Sequence, residues 1–506
     1  MMIYIVAGLA ILAICRAVFL IYSRLYVSPL KVIPGPLLEA VSSIPHDLAC
    51  IKGVNHEYLE KLHDKYGPIV RISPTEVSFI DSSIWRDVYG FRKNDAECEK
   101  SDVIDRVNGV TGILDANRMD HRRYRRLLSH AFSEQSLRRQ EDRLQHHVDM
   151  LIRGLTQGSK DGPLDISQWL QWTTFDIMGD LAFGESFESL GTKKTHPWQK
   201  FLLDNIAGGM YIGIIQRWGL GRVAALCTPS SLIQAMRDFY DMSSTRIDRR
   251  IAMDKERGDF LDHILKHELV GDDEKGQVKG MRVEELKSTA SDIAIAGSET
   301  TATLLTGLVY FLLMNPTVLK KVQEEIDGFE DEEQITVAST AKLPYFSAVL
   351  EEGLRIFIPS PVISARTIPT AGLVVGGYLL PGGTRVFAAH HIAYRSSLHF
   401  ARPKEFVPER WLANRPEEFA SDNASGIFQP FAAGPRNCIG NNLAKAEMRL
   451  ILATLLWRFE MTKPSADQQG EQDWDGWFQR LKVYFLWHKP PLMVEMKPRR
   501  NAASIF

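Results

Sequence analysis

Four strings of side chains in this sequence could do chemistry. The first is Phe431-Ala432-Ala433-Gly434-Pro435-Arg436-Asn437-Cys438-Ile439-Gly440, which leads into a helical pattern over Asn441–Phe459. A cysteine just ahead of a helix amino terminus and beside an arginine sits in an electropositive setting, where dipole and charge both favour the thiolate. Gly434 and Gly440 permit a tight loop and let a flat group approach the backbone. An inert cysteine in a glycine-rich turn is the plain alternative. The second string, Ala296-Gly297-Ser298-Glu299-Thr300-Thr301, interrupts an otherwise apolar helix running to Pro316. Buried there, an acid and hydroxyls each need a partner, unless the hydroxyls simply bond back to helix carbonyls. The third, Glu352-Gly353-Leu354-Arg355, places acid and base on one helix face, by default a solvated ion pair. The fourth, His121-Arg122-Arg123-Tyr124-Arg125-Arg126, is a basic helix face, either plainly solvated or a nucleic-acid patch, the latter opposed by the net charge and by its isolation.

The elements that must position these strings are mainly helical. Helical periodicity marks Phe132–Leu155, Leu164–Phe183, Ser231–Asp254, Val283–Asn315, Pro316–Phe329, Ala341–Phe357 and Asn441–Phe459. Ile69–Ile72 and Glu76–Ile80 predict a hairpin around Ser73-Pro74-Thr75. A second small sheet is predicted from Leu373–Val375, Tyr378–Leu380 and Thr384–Ala388, with Pro381-Gly382-Gly383 as its turn. The fold class is therefore mainly α with small β-sheets. No linker, repeat or composition break divides the body, which predicts one large domain.

Composition excludes several classes. Sixty Lys and Arg balance 62 Asp and Glu, a formal charge of −2, so nothing attracts nucleic acid in general. The five cysteines (Cys15, Cys50, Cys98, Cys227, Cys438) are odd in number and never in a CxxC pair, which excludes a disulfide framework or zinc ribbon. Ile3–Leu20 is an 18-residue apolar run whose one charge is Arg16, and Arg24 and Lys31 follow it. No Lys or Arg precedes it as a cleaved signal requires, so an uncleaved anchor with a cytosolic body is predicted over a signal peptide or buried helix. Pro29 and Ile33-Pro34-Gly35-Pro36 then form a stiff segment without helix. The predicted division is 1–24 anchor, 25–40 proline hinge and 41–506 a single large domain.

The string FxxGxRxCxG, filled by Phe431, Gly434, Arg436, Cys438 and Gly440, resembles the haem-binding loop of the cytochrome P450 family of haem-thiolate monooxygenases. The resemblance implies haem b with Cys438 as axial thiolate, a ligand that pushes electron density onto iron and favours O–O cleavage. It places Arg436 on a propionate and Phe431, Gly434 and Gly440 in the cofactor loop. The second string resembles the family's oxygen-activation motif. There Thr300 hydrogen-bonds dioxygen, Glu299 relays protons from solvent, and Ala296 and Gly297 leave room for oxygen and substrate. Glu352 and Arg355 resemble the family's ExxR, and Phe406-Val407-Pro408-Glu409-Arg410-Trp411 its partner segment, so Glu352, Arg355 and Arg410 form a buried structural triad. His121 and Arg125 stand where a family WxxxR helix meets the propionates, with the usual tryptophan replaced. Arg366 matches a further propionate arginine.

These motifs span the chain in the family's order. The resemblance implies a microsomal enzyme, single-pass in the endoplasmic reticulum membrane, with electrons from NADPH–cytochrome P450 reductase. Arg122, Arg123 and Arg126 would present a surface to such a partner. The wording is most like filamentous-fungal members of secondary metabolism, the isotrichodermin C-15 hydroxylase-like group among them. By the family's layout, the pocket draws on residues such as Val107, Val110, Ile113, Leu114, Ile206, Met210, Ile214 and Val362. Gly208-Gly209 and Gly213 would make a flexible lid. A lipophilic terpenoid, polyketide or mixed substrate is expected, with hydroxylation as the reaction. The rivals are epoxidation, desaturation, carbon–carbon cleavage or rearrangement at the same haem, or a non-catalytic haem sensor or carrier.

Overall fold

Apolar residues at helical spacing and capped ends account for most of the elements. The computed structural model describes residues 2–92, 97–101, 108–222, 226, 230–253, 255–270, 279–465 and 474–499. They fall into two compact units, Met1–Asp102 with Pro361–His399 and Asn423–Arg436, and Val103–Ser360 with Phe400–Asp422 and Asn437–Phe506.

The first unit begins with helix α1 (Met2–Tyr22), none of whose residues is buried. The helical run Met2–Val27 is long and apolar enough to cross a membrane. The stretch after it is not free of helix as expected. Pro29–Val32 forms a short 3-10 turn and Leu37–Val41 a short α-helix, and only Ile33–Pro36 between them is extended. This stretch is docked on strand β1 (Ile69–Ser73). The Arg71 backbone N–H donates to Pro34 O at 2.8 Å. Its guanidinium donates to the carbonyls of Arg24 (3.1 Å), Ala40 (3.2 Å) and Pro74 (3.0 Å). Gly35 is required at the crossing, since a Cβ there would lie 2.4 Å from Arg71 O.

The hairpin is present: β1 pairs antiparallel with β2 (Glu76–Phe79), and every residue of both is buried. With β3 (Glu99–Lys100), β4 (Arg366–Thr367) and β5 (Arg385–Ala388) they make a five-stranded sheet in the order β1-β2-β5-β4-β3. The expected grouping of 384–388 with the 373–380 hairpin is corrected here. Leu373–Val375 and Tyr378–Leu380 pair only with each other, around Gly376 and Gly377 with φ of 55° and 84°. β5 instead lies parallel to β2 (Val386 opposite Val77), and Val386, Phe387 and Ala388 are all buried, as an interior strand requires.

The second unit is helical. Its principal helices are α2 (Arg118–Leu128), α3 (Glu134–Gly158), α4 (Ile166–Phe183), α5 (Val283–Met314), α6 (Pro344–Ile356) and α7 (Asn441–Arg458). Side chains of Asn117, Ser133 and Asp165 cap α2, α3 and α4. The bounds agree with the periodicity within a few residues. α4 starts late because Leu164–Asp165 pair as a strand with Met493-Val494. α5 is the core: apart from its first turn, Ile295–Gly297, Thr300 and Met314, its residues are buried. A helix apolar on all sides belongs inside a protein. Small residues set its packing. A Cβ on Gly307 would meet Phe357 Cδ1 at 2.0 Å, and one on Gly353 of α6 would meet Leu308 Cδ2 at 2.4 Å.

Candidate active site

Cys438 lies just ahead of α7, with Gly440 as its N-cap residue. The Gly440 N–H bonds to the sulfur, and Arg125 of α2 is the cation acting on it. Both pull the thiol's pKa down, but burial is larger and pushes it up, so in the protein alone the expected preference for thiolate is outweighed. Cys438 is nonetheless exposed. The arginine beside it in sequence is turned elsewhere: Arg436 is ion-paired with Glu97, within the first unit. Arg125 donates to Asn437 O at 2.5 Å and also to Asn437 Oδ1, which fixes the chain next to the cysteine. His121, four residues before Arg125 on α2, is buried.

In the first unit, Gly434 has φ of 78°, and a Cβ on it would lie 1.9 Å from Tyr89 O. Its freedom therefore serves backbone packing in that unit. Gly440 has φ of −83°, and a Cβ there would stand 3.9 Å from the Cys438 sulfur. Phe431 lies half-buried on the same loop. Arg366, on β4, is buried with its guanidinium 5.2 Å from the Tyr89 ring centroid. Its Nη1 has no hydrogen-bond partner among the described residues. Burial lowers its pKa, and Arg436 adds to that. A buried guanidinium short of a partner calls for an anion.

α5 opens at the second string. Ala296 is exposed and Gly297 and Thr300 are half-exposed on a helix otherwise buried along most of its length. Ala296 and Thr300 lie one turn apart, on one face. The Thr300 hydroxyl donates to Ala296 O at 2.6 Å, the back-bonding arrangement. Gly297 owes its size to packing, because a Cβ would lie 2.5 Å from Met178 Sδ on α4. Glu299 points away from solvent. It is buried, ion-paired with Lys489, and accepts from the Thr303 hydroxyl at 3.2 Å. Beyond it, Thr301 bonds to Glu447 of α7, whose burial raises its pKa to about 8.

The Glu352 network is larger than a triad. Glu352 Oε1 accepts from Arg355 Nη2 (2.7 Å), Arg410 Nε (3.2 Å) and the Val407 N–H (2.8 Å), and Oε2 accepts from Arg355 Nε (2.8 Å) and the Trp411 indole (2.9 Å). The side chains of Glu352, Arg355 and Arg410 have no exposed surface. Asp422, which the sequence did not single out, pairs with Arg410 and so balances the second arginine. Arg355 also donates to Pro403 O (2.7 Å) and Glu405 O (2.8 Å), which ties down the segment before Arg410.

Of the residues expected to line a pocket, Val107 and the Ile206 side chain lie outside the described residues. Gly208, Gly209 and Gly213 lie within a continuous helix, Pro197–Arg217. The loop from Asn108 to Ala116 is fastened to α5: Leu114 N–H donates to Asp292 Oδ2 (2.9 Å) and Ser288 Oγ to Val110 O (3.0 Å). Gly112 makes the fit, since its Cβ would lie 2.2 Å from Asp292 Oδ2 and 2.8 Å from Ser288 O. Gly112→Val should lift this loop at a cost of about 1–3 kcal/mol. Limited proteolysis followed by mass spectrometry should find faster cleavage within 108–116, and unchanged cleavage there would contradict the fastening.

The family model for cytochrome P450 matches residues 34–496. Averantin hydroxylase of Dothistroma septosporum is 40% identical over 497 residues, which cover 98% of this chain and 91% of that one. The cytochrome P450 monooxygenase astA of Talaromyces wortmannii is 37% identical over 500 residues, which cover 98% and 97%. Among solved structures, the cytochrome P450DA heme domain aligns with a TM-score of 0.72 at 19% identity, over 92% of this chain and 98% of its own, a likeness of fold. This chain belongs to the cytochrome P450 family. It is accordingly a monooxygenase whose haem iron is held by a cysteine thiolate. Within the second unit the residues in place fit that group: an exposed cysteine, Cys438, ahead of α7, with the Gly440 N–H and Arg125 acting on its sulfur.

Proposed function

We propose that this chain is a membrane-anchored hydroxylase of a lipophilic fungal secondary metabolite, a polyketide, terpenoid or mixed skeleton. It would be reduced by NADPH–cytochrome P450 reductase at the endoplasmic reticulum, with α1 as a single-pass anchor, residues 25–40 as hinge and 41–506 as catalytic domain. The observation that carries the reading is Cys438, a reachable sulfur ahead of α7, with Arg125 acting on it. The relatives' names support the substrate class, and the exposed apolar side chains of Leu37, Leu38, Ile44 and Leu48 beyond the anchor support a membrane location.

Cys438 would be the iron ligand, with the Gly440 N–H and Arg125 holding its charge. Arg366, Arg436, Arg125 and His121 would meet the propionates, each as a donor. When bound, the haem supplies the oxidising chemistry, inserting one oxygen atom of dioxygen into a C–H bond and releasing the other as water. Ala296 would leave space beside the substrate, and the Thr300 hydroxyl would exchange its bond to Ala296 O for one to the reacting oxygen. Glu299 would supply protons to that hydroxyl. The Glu352 network would hold the segment around Arg410 rigid.

The test compares metabolites of the source strain with those of a Cys438→Ala strain. Accumulation of a precursor lacking one oxygen is the expected result. A precursor differing by two hydrogens would replace hydroxylation by desaturation. Unchanged metabolites, with the reduced carbon monoxide spectrum of the variant intact, would overturn Cys438 as ligand.

A further inference from the structure

Lys489 carries a charge that none of the family motifs above explains. Its side chain is 2% exposed. Its ammonium pairs with Glu299 and donates to the Thr303 hydroxyl at 2.6 Å, while Thr303 donates to Glu299 at 3.2 Å. The three groups close a ring: acid and hydroxyl lie one turn apart on α5, and the lysine comes from a segment 190 positions away. That segment is held firmly. Trp487 Nε1 donates to Ile358 O (2.8 Å), Trp477 Nε1 to Pro490 O (3.0 Å) and Leu492 N–H to Asp165 Oδ1 (3.0 Å). Pro490 and Pro491 follow the lysine directly and restrict its backbone. A long flexible cation has been fixed in a dry place, where it is tolerated only against an anion.

We propose that Lys489 is a positioning residue for proton supply: it keeps Glu299 a carboxylate and holds it toward Thr303, three residues beyond Thr300 in sequence, until a proton is needed. It rests on the monooxygenase function proposed above. A carboxylate can take a proton and pass it on, whereas a neutral acid in a dry site keeps the one it has. The overall reaction consumes substrate, dioxygen, two electrons from NADPH and two protons, and yields hydroxylated product and water. If the second proton arrives without cleaving the O–O bond, the same electrons and protons leave as hydrogen peroxide and the substrate is unchanged. Lys489 thus bears on how much of the NADPH reaches product. Within the described residues, Lys489 and Thr303 are the groups bonded to Glu299, while Glu447 serves Thr301.

Infrared spectroscopy of the purified holoenzyme tests this directly, because a protonated carboxyl has a carbonyl stretch that a carboxylate lacks. In the wild-type background Glu299→Gln should remove no such band, and Glu447→Gln, which should remove one below about pH 8, serves as the positive control. Lys489→Met should gain a band that disappears when Glu299→Gln is added, and Lys489→Arg should gain none. In the source strain, Lys489→Met should lower product per spectrally intact enzyme by ~10- to 100-fold, and Lys489→Arg should restore most of it. A brace with no part in proton supply would lose melting temperature in Lys489→Met but keep its product yield and show no new band. Either of those two results overturns the proposal, as does loss of a band in Glu299→Gln alone, which stands even if Lys489→Met fails to fold. Failure of the wild-type strain to make any oxygenated product would instead count against the hydroxylase function, and the infrared result would remain valid.

Discussion

Glu352→Gln should leave little folded holoenzyme. The substitution keeps the shape of the side chain and removes the one charge that faces both Arg355 and Arg410, neither of which has exposed side-chain surface. Asp422 balances Arg410, so the net result is one buried positive charge without a counterion. Breaking a buried ion pair from one side costs about 3–5 kcal/mol, and whole domains are stable by only about 5–15 kcal/mol. The Val407 N–H and Trp411 indole would each face an amide that can donate as well as accept, which adds to the loss. The expected readout is a sharply lower yield of protein with a normal reduced carbon monoxide spectrum and a thermal midpoint depressed by many degrees. Asp422→Asn should act in the same direction, because it leaves Arg355 and Arg410 to share the single charge of Glu352. A Glu352→Gln protein that melts with the wild type would mean that the arginines are adequately neutralised by the carbonyls of Pro403, Glu405 and Ala401.

Glu447→Gln should have the opposite effect, and only at higher pH. Glu447 is buried, its Oε1 has no partner among the described residues, and burial raises its pKa from 4.5 to about 8. Between those values the unfolded chain ionises while the folded protein holds the proton, so stability falls as pH rises, by about 1.4 kcal/mol per unit. The contribution of the neutral acid is intact below about pH 4.5 and is lost as pH climbs through about 8, where the accumulated penalty reaches about 5 kcal/mol. Glutamine mimics the neutral acid and does not titrate. Melting temperatures of wild type and variant should therefore nearly coincide at pH 5 and separate progressively to pH 8, with the variant the more stable. Parallel curves would show that Glu447 is ionised in the fold or has a counterion.

Local spacing made the reactive strings legible. A cysteine ahead of a helix, an acid three residues before an arginine and hydroxyls inside an apolar helix are all short-range patterns, and each lies where its pattern placed it. What they bind was less legible, because partners arrive from afar. Asp422 reaches Arg410 through a loop with no periodicity, and Lys489 reaches Glu299 from 190 positions away. The arginine adjacent to Cys438 in sequence faces Glu97, while Arg125, more than three hundred positions away, acts on the sulfur. Strand pairing failed for a related reason: β5 has the composition of any short apolar strand, and only the buried edge of β2 decides that it joins the larger sheet. Gly297 and Gly434 invited a reading about ligands, but the atoms that exclude a Cβ there belong to Met178 and Tyr89.

The grip of Arg71 on the chain after α1 has a mechanical meaning. One planar fork takes hold of carbonyls at Arg24, Ala40 and Pro74, so the ends of the intervening stretch are riveted to the same strand. The chain leaving α1 consequently has no slack to act as a leash. A lysine would gather its three donors on one freely rotating nitrogen, whereas the guanidinium spreads its donors over a rigid plane, so the stiffness of this joint resides in one guanidinium.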